Sequence, residues 1–168
     1  NGEAVVVLDF KAMILNIVAS HSGRQLTGDP YDIDIGLGVQ RKDVQRSLIK
    51  SIVIIGINSK SRMEALSAVR SKEGESFRQA FGRPLLDVEL KRCITDVEQA
   101  HPFLKTYLFK KLGKSIFAID ADIARGVLRR FLDAQKLVLP IHDGFVAAQS
   151  DRELLRSAME SSWKDEFP

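Results

Sequence analysis

Leu137-Val138-Leu139-Pro140-Ile141-His142-Asp143-Gly144-Phe145-Val146 reads as strand, turn, strand. Apolar residues flank a His-Asp-Gly break, and Asp-Gly is a strong hairpin signal, so the pattern predicts Asp-Gly at the tip. A second carboxylate has a like setting near the start of the chain. Asp9 closes the apolar run Val5-Val6-Val7-Leu8, which reads as a buried strand without polar alternation. Aspartates at strand ends are common and need no function. Two that share a cleft, however, can hold a pair of divalent cations, as in enzymes that move phosphoryl and nucleotidyl groups.

Between these strands the periodicity is helical. Lys11 to about Ser20 reads as a short helix, and Gly23 to Gly38 as a loop containing Gly28-Asp29-Pro30-Tyr31-Asp32. Arg41 to about Ile57 has Val44, Leu48, Ile49, Ile52 and Val53 on one stripe. A helix is expected over Arg62 to Val69, followed by a polar, mobile stretch from Ser71 to Gly82. Pro84 is placed to open a helix that runs to Ala100, where His101-Pro102 breaks it. A short helix from Phe103 to Lys111 is expected next, then a long one capped by Ser115 and reaching about Lys136. Ile116, Ile119, Ile123, Val127 and Leu128 form its inner face. Asp151 is placed to cap a last helix, Arg152 to about Lys164, with Leu155, Met159 and Trp163 as its stripe. Many helices and few strands predict an α+β fold, a small antiparallel sheet backed by helices.

The chain has 168 residues, enough for one domain with a modest insertion. Cys93 is the only cysteine, which excludes an intrachain disulfide and a Cys-rich zinc site, and it falls in a helical apolar pattern as a buried small hydrophobe. No apolar run reaches the ~18 residues of a membrane span, and no secretory signal opens the chain, so the expected compartment is the cytoplasm. Charge is uneven. Residues 41–72 carry eight Lys/Arg against two Asp/Glu, and residues 101–131 seven against two. Residues 1–40 carry two against five, and residues 143–168 three against six. Basic helices between acidic ends suit a polyanion bound through its phosphates, and equally a set of solvated helix faces.

On the helix from residue 41, Arg46, Lys50, Ile54 and Asn58 are four apart and share a face. Arg and Lys one turn apart make a phosphate clamp, the guanidinium as a fork and the ammonium as a point charge. In its order the chain resembles the family A DNA polymerases and the related single-subunit phage-type RNA polymerases. Leu8-Asp9-Phe10-Lys11-Ala12-Met13 is similar to their motif A, Arg46-x3-Lys50-x7-Asn58 to motif B, and Pro140-Ile141-His142-Asp143-Gly144-Phe145 to motif C. The Gly28–Asp32 loop resembles a family loop, and Ala121-Asp122-Ile123-Ala124 is a faint echo of a helix that contacts the primer–template.

The resemblance spans Val5 to about Phe167 and implies a palm sheet with a fingers-like helical insertion over about 40–100. It implies template-directed nucleotidyl transfer from nucleoside triphosphates on a nucleic-acid primer–template, with two Mg²⁺ ions for which Mn²⁺ can substitute. Asp9 and Asp143 would bind the metals with the Phe10 carbonyl. Arg46 and Lys50 would hold the triphosphate, and Ile14 and Asn58 would occupy substrate-binding positions. His142 would hydrogen-bond locally and position the hairpin, with an electrostatic role near the primer.

Departures stand beside the matches. Ile14 replaces a Glu that helps exclude a ribose 2′-hydroxyl, and Asn16 replaces an Arg. Ile54 and Asn58 replace aromatics, and Gly144 replaces an acidic residue. DNA or RNA as product therefore stays open. Two other readings compete: a catalytically degenerate, polymerase-like nucleic-acid-binding module, and an RNase H-like two-metal nuclease drawing a further carboxylate from Asp120 or Asp122. No thumb precedes Val5, and Asn1-Gly2-Glu3 opens almost directly into a strand, so the expectation is part of a larger polypeptide or complex. His21, His101 and His142 are not spaced as a metal triad.

Overall fold

The computed structural model describes residues 2–37 and 41–168, so the expected loop end at Gly38 lies outside the described residues. The fold is α+β, as the element pattern predicts: helices with one three-stranded antiparallel sheet. The chain forms two compact units, Asn1–Gly23 with Ser115–Pro168, and the intervening Arg24–Lys114. The insertion expected over about 40–100 falls within the second.

The first unit contains the sheet. β1 (Val5–Asp9) and β2 (Val138–Ile141) flank β3 (Gly144–Ala148), both antiparallel to it. With it go α1 (Met13–His21), most of α5 (Gly113–Asp133) and α6 (Arg152–Glu166). Val127 and Phe131 of α5, Phe145 and Ala147 of β3, and Leu155, Ala158 and Met159 of α6 form its core. Val6, Leu8, Phe10 and Val138 pack onto it from the sheet side. Burial of each large side chain there contributes about 1.5–3 kcal/mol.

β1 is not the buried strand its apolar run predicts. Successive side chains point to opposite faces, and α5 and α6 cover one of them. Val5, Val7, Leu139 and Ile141 on the other face stay 60%, 62%, 64% and 51% exposed. α1 begins at Met13 rather than Lys11 because Ala12 takes a left-handed conformation, φ 47°. α5 starts at Gly113, two residues before the expected cap, and stops at Asp133, where Gln135 turns left-handed. Ile116, Ile123 and Val127 are buried, but Leu128 is partly exposed. Asp151 makes no cap to α6; its carboxylate pairs with Lys136 at 3.2 Å.

The second unit is helical. α2 (Lys42–Asn58) buries Leu48, Ile49, Ile52, Val53 and Ile57. α3 runs from Arg62 to Phe81, so the stretch expected to be polar and mobile is helix. What the polar composition hides is a sparse apolar stripe, Val69 and Phe77, with Glu73 buried between them. The Glu73 carboxylate accepts the hydroxyls of Ser47 (3.1 Å) and Ser51 (2.5 Å) on α2, which compensates for its burial. Ser61 caps α3 by accepting the Glu64 amide, and Gly82 closes it at φ 67°.

α4 (Asp87–Ala100) starts after Leu86, whose N–H donates to Glu89. Arg83 holds that carboxyl below its ordinary range, chiefly by hydrogen bonding. Cys93 is buried as expected, and desolvation, with the charges of Asp96 and Glu89 behind it, pushes its thiol up to about 12. The short helix expected from Phe103 to Lys111 shrinks to a 3-10 turn, Pro102–Thr106. Phe109 and Lys111 then turn left-handed, because the N–H groups of Phe109, Lys111 and Leu112 donate to the open carbonyls of Gly56, Ser59 and Ile57 at the end of α2. No helix among the described residues is long and apolar enough to cross a membrane.

Candidate active site

The turn between β2 and β3 is set by register. Ile141 pairs with Gly144, so the two-residue tip is His142–Asp143, one residue earlier than Asp-Gly would place it. His142 takes φ 51°, the left-handed conformation that the first tip position of a two-residue hairpin uses. Gly144 is instead a strand residue. A Cβ there would lie 2.8 Å from the Leu8 carbonyl oxygen and 3.4 Å from the Asp9 Cα. β1 therefore runs too close at this position to admit a larger side chain without a shift.

That approach brings the two aspartates together. Asp9 pairs with Gly144, and the Phe10 N–H donates to the Asp143 carbonyl at 3.1 Å. Summing the intervening bonds puts the two α-carbons no more than about 9 Å apart. Both residues are exposed at this end of the sheet. The Phe10 ring meets Phe145 edge-on at 6.5 Å and Trp163 at 5.8 Å, which fixes the backbone expected to lend a carbonyl. Asp120 on α5 is half-buried. Burial first, and the charge of Asp143 second, raise its carboxyl above the ordinary carboxylate range.

The expected flanking residues divide. No described residue hydrogen-bonds the His142 ring, so its backbone, not its imidazole, shapes the hairpin. Ile14 is half-buried on α1. The Asn16 amide donates to the Lys11 carbonyl at 2.7 Å and supports the left-handed turn at Ala12. Among the described residues no group of three or more His, Cys, Asp or Glu side chains is placed to hold a metal. Two carboxylates and a backbone carbonyl still suit Mg²⁺, which keeps several waters and takes further oxygens from substrate phosphates.

Arg46, Lys50 and Asn58 belong to the second unit. They lie along the exposed face of α2, with Asn58 about 18 Å along the helix axis from Arg46. Arg46 already has a partner: its Nε donates to Asp29 Oδ2 at 2.5 Å and its Nη2 reaches Oδ1 at 3.4 Å. The guanidinium also lies 5.4 Å from the Tyr31 ring centroid. No described carboxylate pairs with Lys50. The Asn58 amide donates to the Ile54 carbonyl at 2.8 Å and occupies the space that Gly113 leaves open. Sequence reading missed the role of Asp29; an Asx turn in a Gly-Asp-Pro-Tyr loop was its available signal. Neither a protein-family model nor a curated protein sequence matches the chain.

Proposed function

We propose that the chain is a metal-dependent nucleotidyltransferase of the family A polymerase type, acting on nucleoside triphosphates and a nucleic-acid primer–template. The observation that carries this reading is the pairing of the Asp9 strand end with the Asp143 hairpin across Gly144. Asp9 and Asp143 supply hard, exposed oxygen donors for Mg²⁺, and the bound ions would activate a primer hydroxyl and offset charge on the phosphates. The Phe10 carbonyl, next to the Asp9 strand end, would be a further oxygen donor. In the second unit, Arg46 and Lys50 present a fork and a point charge suited to a phosphate chain. Ile14 provides no polar group to read the sugar, so both deoxyribo- and ribonucleotides are substrates to supply.

The test is extension of a labelled primer on a template with Mg²⁺ or Mn²⁺ and both nucleotide types. Asp9→Asn and Asp143→Asn should each lower extension at least ~100-fold, since metal charge stabilisation amounts to several kcal/mol. Chelation with EDTA should abolish it. Native protein that leaves primers unchanged, or variants that extend as well as native, would sink the reading. Asp120 favours a second reading, because a two-metal nuclease needs a further carboxylate and Asp120 senses the charge of Asp143. Shortened rather than extended strands, lost on Asp120→Asn, would select it.

A further inference from the structure

We propose that Asp29 is a built-in competitor for the phosphate-binding face of α2, holding Arg46 until a polyanion of higher charge displaces it. This rests on the reading that Arg46 takes substrate phosphate. A guanidinium fork accepts a carboxylate and a phosphate through the same paired N–H geometry, so Asp29 occupies the directions a phosphate would use.

The carboxylate is presented by an anchored loop, not by a wandering side chain. The Tyr31 N–H donates to Asp29 Oδ1 at 3.1 Å, and the Asp32 N–H to the Asp29 carbonyl at 3.0 Å. The His101 Nε2–H donates to the Pro30 carbonyl at 2.7 Å, and Tyr31 is only 2% exposed beneath Arg46. One turn before Arg46, Lys42 lies 3.9 Å from Asp32, so the same loop sets a second carboxylate against a second cation. A cavity of about 410 Å³, lined among the described residues by Tyr31, Asp32, Asp34, Lys42 and Arg46 among others, opens beside the pair.

The latch is a weak one. The two side chains are 50% and 38% exposed, and such a pair shifts an equilibrium by roughly one- to fivefold. It therefore discriminates by charge: inorganic phosphate gains little over Asp29, whereas a triphosphate spanning Arg46 and Lys50 exchanges it.

Calorimetric titration of the full chain with inorganic tripolyphosphate, and separately with inorganic phosphate, tests this. Asp29→Asn removes the charge and keeps an acceptor for the Tyr31 amide; Asp29→Ser checks the result should Asn disturb the turn. Either variant should bind tripolyphosphate roughly three- to fivefold more tightly than native protein, and Arg46→Gln should lose that gain. Unchanged or weaker binding in both variants overturns the proposal, as does a failure of every form to bind tripolyphosphate. If the titrations behave as expected but primers are not extended, only the polymerase reading fails. Extension with unchanged titrations removes the latch alone.

Discussion

Gly144 decides the geometry of the candidate site. Its hydrogen occupies the space where a Cβ would meet the Leu8 carbonyl, and that close approach keeps the Asp9 and Asp143 strand ends in register. Gly144→Ala should cost about 1–3 kcal/mol as an overpacking change. It should also weaken Mn²⁺ binding and activity beyond what the reduced stability explains. Thermal unfolding alongside a metal titration checks this, and an alanine variant that binds metal like native protein removes the positioning role. The two aspartates and their strand ends were legible in the sequence, because a carboxylate after an apolar run is a local pattern. The turn register was not, because the glycine of an Asp-Gly pair serves a tip and a close strand approach equally well.

Among the elements, α3 and α4 show how local signals mislead. Arg62–Phe81 carries so many charges that only its first turns read as helix, yet the Ser61 cap, Val69, Phe77 and the Glu73 bond to two α2 serines carry it twenty residues. Pro84 resembles a helix opener, but α4 begins three residues later, where Glu89 can accept the Leu86 N–H and the Arg83 fork together. The lowered Glu89 carboxyl makes a pH prediction. Its charged form is favoured by folding, so its contribution is fully present above the ordinary carboxyl value of 4.5 and is lost as pH falls through the lower folded value. Glu89→Gln should unfold more easily than native protein at pH 7, and the difference should shrink at an acid pH below 4.5. Denaturant melts at the two pH values would show it, and an equal gap at both would contradict the assignment.

At the scale of the whole molecule, charge separates by unit. Arg24–Lys114 carries 17 Lys/Arg against 11 Asp/Glu, net +6, and the remaining residues 8 against 11, net −3. Many arginines of the basic unit are spent on carboxylates, as in Arg62–Glu98, Arg70–Asp87, Arg83–Glu89 and Arg46–Asp29. Lys60, Lys110, Lys111 and Lys114 gather where residues 109–112 bond the end of α2, and no described carboxylate pairs with them. Nucleic-acid affinity should therefore fall with salt, and changing these four lysines to Gln should flatten the slope by about 0.9 for each duplex phosphate they no longer neutralise. Filter binding across a salt series measures it; an unchanged slope places the nucleic acid elsewhere.

The sequence by itself determined the fold class, the helical stripes and the candidate residues Asp9, Asp143, Arg46 and Lys50, since each follows from composition or spacing along a few turns. Only the tertiary structure decided that β1 has an open face, that Gly144 lies against β1, that Asp120 senses Asp143, and that Arg46 is held by Asp29. Those facts depend on pairings between residues far apart in the chain, where burial, close approach and charge are set by the neighbour and not by the local pattern.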